Sequence, residues 1–238
     1  MALPRVNETL NFTMKIPSTG QRVKYRPYLV KEEKVLLQAF ESGDTKTCLE
    51  AMVDTLDACL DPKDNVDVST LATFDVEYLF TRVRAKSVGE VSTILIKCKD
   101  CGEQNAYQVD LDSLEVEMGD NHNVIQITDD IAVEMRYPTY RTILEGDIEK
   151  LQEENADAAL GIVASSISAV LTDEERIDCA SQDPQEVVDF VSSMTASQLQ
   201  KVSSFLENMP ALKHNAVFDC QKCQAHNELE LKGLADFF

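Results

Sequence analysis

The segments KCKDCGEQN (residues 97–105) and DCQKCQAHN (residues 219–227) follow the same pattern. Each carries two cysteines separated by two residues, and an asparagine follows four positions after the second cysteine. Alternating apolar residues flank both segments: EVSTILIK (90–97) and NAYQVDLDSLEVEM (105–118) around the first, AVFDC (216–220) and ELELKGLADFF (228–238) around the second. Such alternation is typical of β-strands. The sequence therefore predicts two hairpins, each made of a strand, a two-cysteine turn and a second strand.

Two C-x2-C turns that face each other would form one four-sulfur metal site. Zinc in structural sites takes four soft ligands in a tetrahedron, and each turn supplies two of them. The predicted ligands of one structural zinc ion per chain are Cys98, Cys101, Cys220 and Cys223. His226 could replace one cysteine, although a surface position is the favoured interpretation. Asn105 and Asn227 either cap the turns through their side chains or serve as left-handed turn residues.

Other cysteine chemistry fits the sequence less well. A redox pair of the thioredoxin type begins a helix after a strand, whereas both pairs here lie between alternating strands. Four thiolates also close the coordination shell, while a catalytic zinc keeps a position for water. Cys48, Cys59 and Cys179 are interpreted as small core residues. Because no glycine-rich phosphate loop and no nucleophile elbow occur either, we expect no enzyme.

Composition restricts the partners and the compartment. The net charge of −20 lies entirely in residues 100–238, where 8 Lys/Arg stand against 28 Asp/Glu, so we expect no nucleic-acid binding. The longest mainly apolar run, residues 158–171, is too short to span a bilayer. The N-terminus lacks the pattern of a secretion signal, which favours the reducing cytoplasm, where cysteines bind metal more often than they form disulfides.

The order of predicted elements indicates an α+β fold, a split zinc ribbon with N-terminal helices and a large helical insertion. Helices are predicted at 31–41, at 44–60 with Asp44 as N-cap, and at 76–86, and a further hairpin at 124–136. Helix starts are predicted at Asp183 and Thr195. The predicted divisions are an N-terminal segment at 1–90, the ribbon at 91–138 and 211–238, and the helical insertion at 139–210.

Three surface features are candidates for protein docking. Arg22, Lys24 and Arg26 alternate with apolar residues, which predicts a cationic strip on one face of a strand. The strip is either an ordinary solvated face or a docking site for an acidic partner. A second cationic cluster follows at residues 82–86. At the C-terminus, Phe237 and Phe238 either complete the core or anchor a partner.

The sequence resembles the baseplate hub family of T-even-type contractile-tailed bacteriophages. Four stretches carry the resemblance: Ile16–Ser42 (IPSTGQRVKYRPYLVKEEKVLLQAFES), Val76–Glu90 (VEYLFTRVRAKSVGE), Ala159–Glu175 (ALGIVASSISAVLTDEE) and Met194–Phe238. The resemblance implies a virion or virion-assembly role, with other hub and tail proteins as partners. It covers both a hub subunit and a hub assembly catalyst, and of these we favour the subunit. A zinc-ribbon adaptor acting on transcription machinery is the alternative from another class.

Overall fold

A computed structural model of the chain describes residues 12–119, 122–145 and 156–237. Helices and strands follow one another in the order β1 (Phe12–Lys15), β2 (Arg22–Tyr25), α1 (Val30–Ser42), α2 (Thr45–Cys59), α3 (Thr73–Val88), β3 (Val91–Lys97), β4 (Gln104–Asp110), β5 (Glu115–Glu117), β6 (Val124–Gln126) and β7 (Ile131–Met135). The chain continues with α4 (Tyr140–Glu145), α5 (Ala156–Ser165), β8 (Ile167–Thr172), β9 (Arg176–Asp178), α6 (Pro184–Ser192), α7 (Ala196–Glu207), β10 (Ala211–Asp219) and β11 (His226–Lys232).

These elements form two compact units. The first contains the described chain up to Val68, residues 74–117 and the chain from Pro210 onward. The second contains Ser69–Thr73 and the described part of Met118–Met209. The mixture of helices and sheets confirms the α+β prediction.

Both predicted cysteine hairpins are present in the first unit. Strand β3 pairs antiparallel with β4, and β10 pairs antiparallel with β11 and also with β5. In β3, buried and exposed residues alternate strictly, as expected for a strand with one face in a core. The core cluster contains Ala85, Ile94, Ile96, Val109, Leu111, Leu114, Leu212, Ala216, Leu231 and Phe237. Both hairpins contribute to this cluster, so apolar burial helps to hold them together.

The N-terminal helices agree with the sequence predictions. The side chain of Asp44 accepts a hydrogen bond from the backbone N–H of Thr47, which confirms it as the N-cap of α2. Helix α1 ends at Gly43, whose φ of 69° lies in the left-handed region that glycine adopts without steric cost. Helix α3 is longer than predicted by a few residues at its start.

The second unit departs from the prediction that residues 139–210 are helical. Its sheet has the order β6-β7-β8-β9, so two strands lie inside that segment, and the predicted hairpin at 124–136 pairs with β8. The segment before and within β8 is one apolar run, and periodicity alone cannot distinguish a buried strand from a buried helix in such a run. The helix starts at Asp183 and Thr195 are confirmed. The division into domains stays a prediction, because compact packing does not establish independent folding.

Helix α3 carries a half-buried carboxyl group that makes stability depend on pH. Burial raises the pKa of Glu77 to about 7, although the backbone N–H of Leu234 donates to it. In the unfolded chain the pKa is about 4.3, so between these values the folded state holds a proton that the unfolded state has lost. This contribution to stability is fully present below the unfolded pKa and is lost as pH rises through the folded pKa.

We therefore expect the free energy of unfolding to fall by roughly 2–3 kcal/mol on account of Glu77 as pH rises from 5 to 8. Glu77→Gln should remove this dependence, because the neutral amide does not titrate. Urea midpoints measured across this pH range test the expectation, with Glu115→Gln at an exposed strand position as the control. A Glu77→Gln profile parallel to that of the wild type would contradict it.

Candidate metal centre

The two cysteine turns have the same backbone hydrogen bonds. In the first turn, Cys98 N–H donates to the Glu103 carbonyl at 2.8 Å and Gly102 N–H donates to the Cys98 carbonyl at 3.0 Å. In the second turn, Cys220 N–H donates to the Ala225 carbonyl and Gln224 N–H to the Cys220 carbonyl, both at 2.9 Å. The similar sequences therefore fold into similar structures.

The residue after the second cysteine is left-handed in both turns. Its φ is 71° at Gly102 and 59° at Gln224. Glycine adopts this conformation without strain, whereas a residue with a Cβ does not.

Gln224→Gly should therefore stabilise the protein by about 0.5–1 kcal/mol, and Gly102→Gln should destabilise it by a similar amount. Denaturant unfolding measures both, and a destabilised Gln224→Gly variant would contradict the expectation.

The turns bring four sulfur atoms together. The predicted ligands are Cys98, Cys101, Cys220 and Cys223, and their Sγ atoms all lie within 4.8 Å of one another. Across the hairpins, the Sγ atoms are 3.7 Å apart for Cys98 and Cys223 and 3.6 Å apart for Cys101 and Cys220. A tetrahedron with metal–sulfur bonds of about 2.3 Å has edges of about 3.8 Å. The sulfur positions therefore fit one tetrahedral metal ion of this size.

Two of the four sulfurs are buried and two face solvent. Cys98 and Cys220, the first cysteine of each turn, are buried, whereas Cys101 and Cys223 are exposed. The backbone N–H of Cys101 lowers the pKa of the Cys98 thiol, and that of Cys223 lowers the pKa of the Cys220 thiol.

The pKa of the Cys223 thiol shifts in the opposite direction. The Ala225 N–H lowers the pKa of Cys223, but hydrogen bonding to the other three sulfurs outweighs it and the pKa rises. Thiolates this close repel one another, which favours the protonated form of Cys223 when no metal is bound. A bound divalent cation would compensate the negative charge of the thiolates.

The asparagines of the two segments cross between the hairpins. Asn105 accepts a hydrogen bond from the Gln221 N–H at 2.9 Å, and Asn227 accepts one from the Lys99 N–H at 2.9 Å. Both asparagines lie in strands with negative φ, so they are not left-handed turn residues. Of the two interpretations from the sequence, capping is correct, but each asparagine caps the turn of the opposite hairpin.

His226 and the other three cysteines lie outside the four-sulfur group. His226 is exposed, and its Nδ1 lies 2.9 Å from a carboxylate oxygen of Asp219. Cys59 is fully buried, and burial raises the pKa of its thiol to about 11. Cys48 donates its S–H to the Ala39 carbonyl. Cys179 is half-buried, and burial raises the pKa of its thiol.

Over residues 8–238, the sequence matches the model of a protein family described as T4 bacteriophage base plate protein. The chain belongs to this family. No curated protein and no solved structure matches it. Membership in the base plate family indicates a structural or assembly role in the baseplate, a location in the virion tail, and other phage tail proteins as partners. The four-cysteine group of this base plate protein is compatible with metal binding.

The cationic strip of this base plate protein is present in a shorter form than predicted. Strand β2 exposes Arg22 and Lys24 and buries Val23 and Tyr25. Arg26 does not continue the strip, because its guanidinium donates to the Glu32 carboxylate at 2.9 Å and is largely buried. The alternation in the sequence extends to Arg26, but strand β2 ends at Tyr25. Alternation also carries no information about the ion pair with Glu32, which lies in α1.

The second cationic cluster and the C-terminus both serve the fold of the base plate protein. Arg82 and Lys86 form ion pairs with Asp112. Phe237 is fully buried in the core cluster, and its carbonyl accepts a hydrogen bond from the Ser92 hydroxyl at 2.8 Å. Phe238 lies outside the described residues. No helix among the described residues is both long and apolar enough to cross a membrane.

Proposed function

We propose that this chain is a non-enzymatic subunit of the phage tail baseplate hub, with a structural zinc site that fixes its docking surfaces. Family membership across nearly the whole chain is the observation that carries this proposal. The assignment to the hub, rather than to another part of the baseplate, rests on the resemblance of the four sequence stretches to the hub family. The protein would assemble in the host cytoplasm as a late protein and then enter the tail.

The proposed metal is zinc, bound by the four thiolates that converge from the two hairpins. Zinc in such a site supplies a crosslink between distant chain segments rather than a reactive position, because four protein ligands fill its tetrahedral shell. A crosslink of this kind suits an assembly protein, which needs a rigid surface for its partners. The closed ligand set also supports a role without catalysis.

The exposed face of the β1–β2 hairpin is the proposed docking surface. Lys15 lies directly opposite Arg22 across the two strands, and Thr13 lies opposite Lys24. Like charges in directly opposite positions weaken a hairpin, so this arrangement does not serve stability. A cationic face on a chain with a net charge of −20 suits an acidic protein partner, because charge complementarity sets orientation and speeds encounter.

Reversing the charges of this face should slow hub association without unfolding the protein. We expect the Arg22→Glu, Lys24→Glu double variant to retain zinc and melting temperature. Its association rate with hub partners should fall about tenfold or more at low salt, where screening is weakest. Stopped-flow association at several salt concentrations measures this rate. The control is the Lys46→Glu, Lys97→Glu double variant, which changes the net charge by the same amount at two other exposed lysines. An unchanged rate at low salt would show that partners dock elsewhere.

Virion composition tests the hub subunit against its alternatives. Quantitative mass spectrometry of purified virions, free hubs and infected lysate should find the chain in virions and hubs at one fixed stoichiometry. Presence in lysate alone would indicate a hub assembly catalyst that is absent from the finished particle. Co-purification with RNA polymerase would indicate the adaptor to transcription machinery. The acidic surroundings of the second turn disfavour nucleic-acid contact by such an adaptor, but not a protein target.

A further inference from the structure

The two asparagines that cross between the hairpins use nearly all of their hydrogen-bonding capacity. Asn105 and Asn227 are each 2% exposed. Within its own hairpin, Asn105 Nδ2 donates to the Glu103 carbonyl at 2.9 Å, and Asn227 Nδ2 donates to the Ala225 carbonyl at 2.8 Å. These local bonds fix the orientation of both side-chain amides.

The same amides then bond to the opposite hairpin. Asn227 Nδ2 donates to Cys98 Sγ at 3.5 Å, and Asn105 Nδ2 donates to Cys220 Sγ at 3.7 Å. The corresponding Oδ1 atoms accept from the backbone of the residue that follows each of these cysteines. Each asparagine therefore holds one buried metal-ligand candidate of the opposite turn and the backbone next to it.

Few other side chains could perform this task. It requires an acceptor for a backbone N–H and a donor for a sulfur on one planar group, and the amide of asparagine has both. An aspartate of the same shape keeps the acceptor but has no donor and adds negative charge beside the thiolates. Serine has a donor and an acceptor but a shorter side chain.

We propose that Asn105 and Asn227 are positioning residues of the metal centre that set its affinity for zinc and slow the release of the ion. Each donates to a buried thiolate, which stabilises the charged, ligating form of that sulfur. Each also holds the two turns in register before the ion arrives. Partners of this kind typically change metal affinity 10–100-fold. The inference rests on the proposed zinc site and adds residues outside its ligand set.

The test compares zinc binding by the folded full-length protein and by three variants. Asn227→Ala removes every contact of the amide, Asn227→Asp retains the acceptor for the Lys99 N–H but removes the donor to Cys98, and Asn105→Ala tests the symmetric position. The readouts are the zinc dissociation constant by chelator competition, the rate of zinc release, and the sulfur-to-cobalt charge-transfer band of the cobalt form. Asn215→Ala, at an exposed position of β10, is the matched control.

We expect each variant to bind zinc about 10–100-fold more weakly and to release it faster, while Asn215→Ala matches the wild type. Loss of a donor to sulfur should also shift the cobalt band to longer wavelength, because the thiolate lone pair rises in energy. A core variant destabilised in the second unit, Val133→Ala, should leave band and affinity unchanged. If an alanine variant does not fold, Asn227→Asp alone decides the result.

Equal affinities, release rates and cobalt bands in the wild type and the asparagine variants would overturn the proposal while leaving the zinc site intact. A wild-type protein that binds no metal would instead overturn the zinc assignment on which the proposal rests. The two failures are therefore distinguishable.

Discussion

Replacing Cys220 with serine should abolish stoichiometric zinc binding and lower the free energy of unfolding by about 3 kcal/mol or more. Cys220 is buried between the hairpins, and its sulfur lies 3.6 Å from that of Cys101. A hydroxyl is a poor ligand for zinc compared with a thiolate, so three sulfurs would remain without the fourth. Because metal binding is coupled to folding, lost binding energy appears as lost stability.

Metal analysis and thermal melting of the purified variant measure this effect. Cys48→Ser is the matched control, because Cys48 lies outside the sulfur group and a serine hydroxyl can still donate to the Ala39 carbonyl. The control should retain zinc and melt close to the wild type. A Cys220→Ser protein with full zinc content and unchanged melting would contradict the split site.

Replacing Phe237 with alanine should destabilise the protein by about 3–5 kcal/mol, because a fully buried aromatic side chain would leave a cavity. Phe237 belongs to the core cluster shared by the two cysteine hairpins. The loss should therefore also weaken the packing that holds the hairpins together.

Urea unfolding tests this prediction, with Phe40→Ala as the control, because Phe40 on α1 is 52% exposed. The control should change the free energy of unfolding by less than about 1 kcal/mol. If Phe237→Ala were as stable as the wild type but failed to bind hub partners, the residue would be a docking anchor rather than part of the core.

Local signals in the sequence were sufficient for the cysteine turns and for most helix starts. A C-x2-C pair between alternating strands defines its own geometry within nine residues, and the caps at Asp44 and Thr195 act within three residues. These features depend on neighbours in the chain, so a single sequence reveals them.

Features that depend on distant partners could not be read in the same way. Strand β8 is a strand because it pairs with β7 and β9, and no local pattern separates its apolar run from the end of α5. The repeated asparagines indicated either side-chain capping or a left-handed turn residue. Only the packing of the two hairpins shows that Asn105 and Asn227 each cap the turn of the opposite hairpin.

X-ray absorption at the zinc edge of the purified full-length protein, combined with its metal content, tests the split metal site most directly. We expect one zinc ion per chain with four sulfur neighbours at about 2.3 Å. A metal-free protein that folds equally well with and without chelator, or a zinc ion with fewer than four sulfur neighbours, would contradict it.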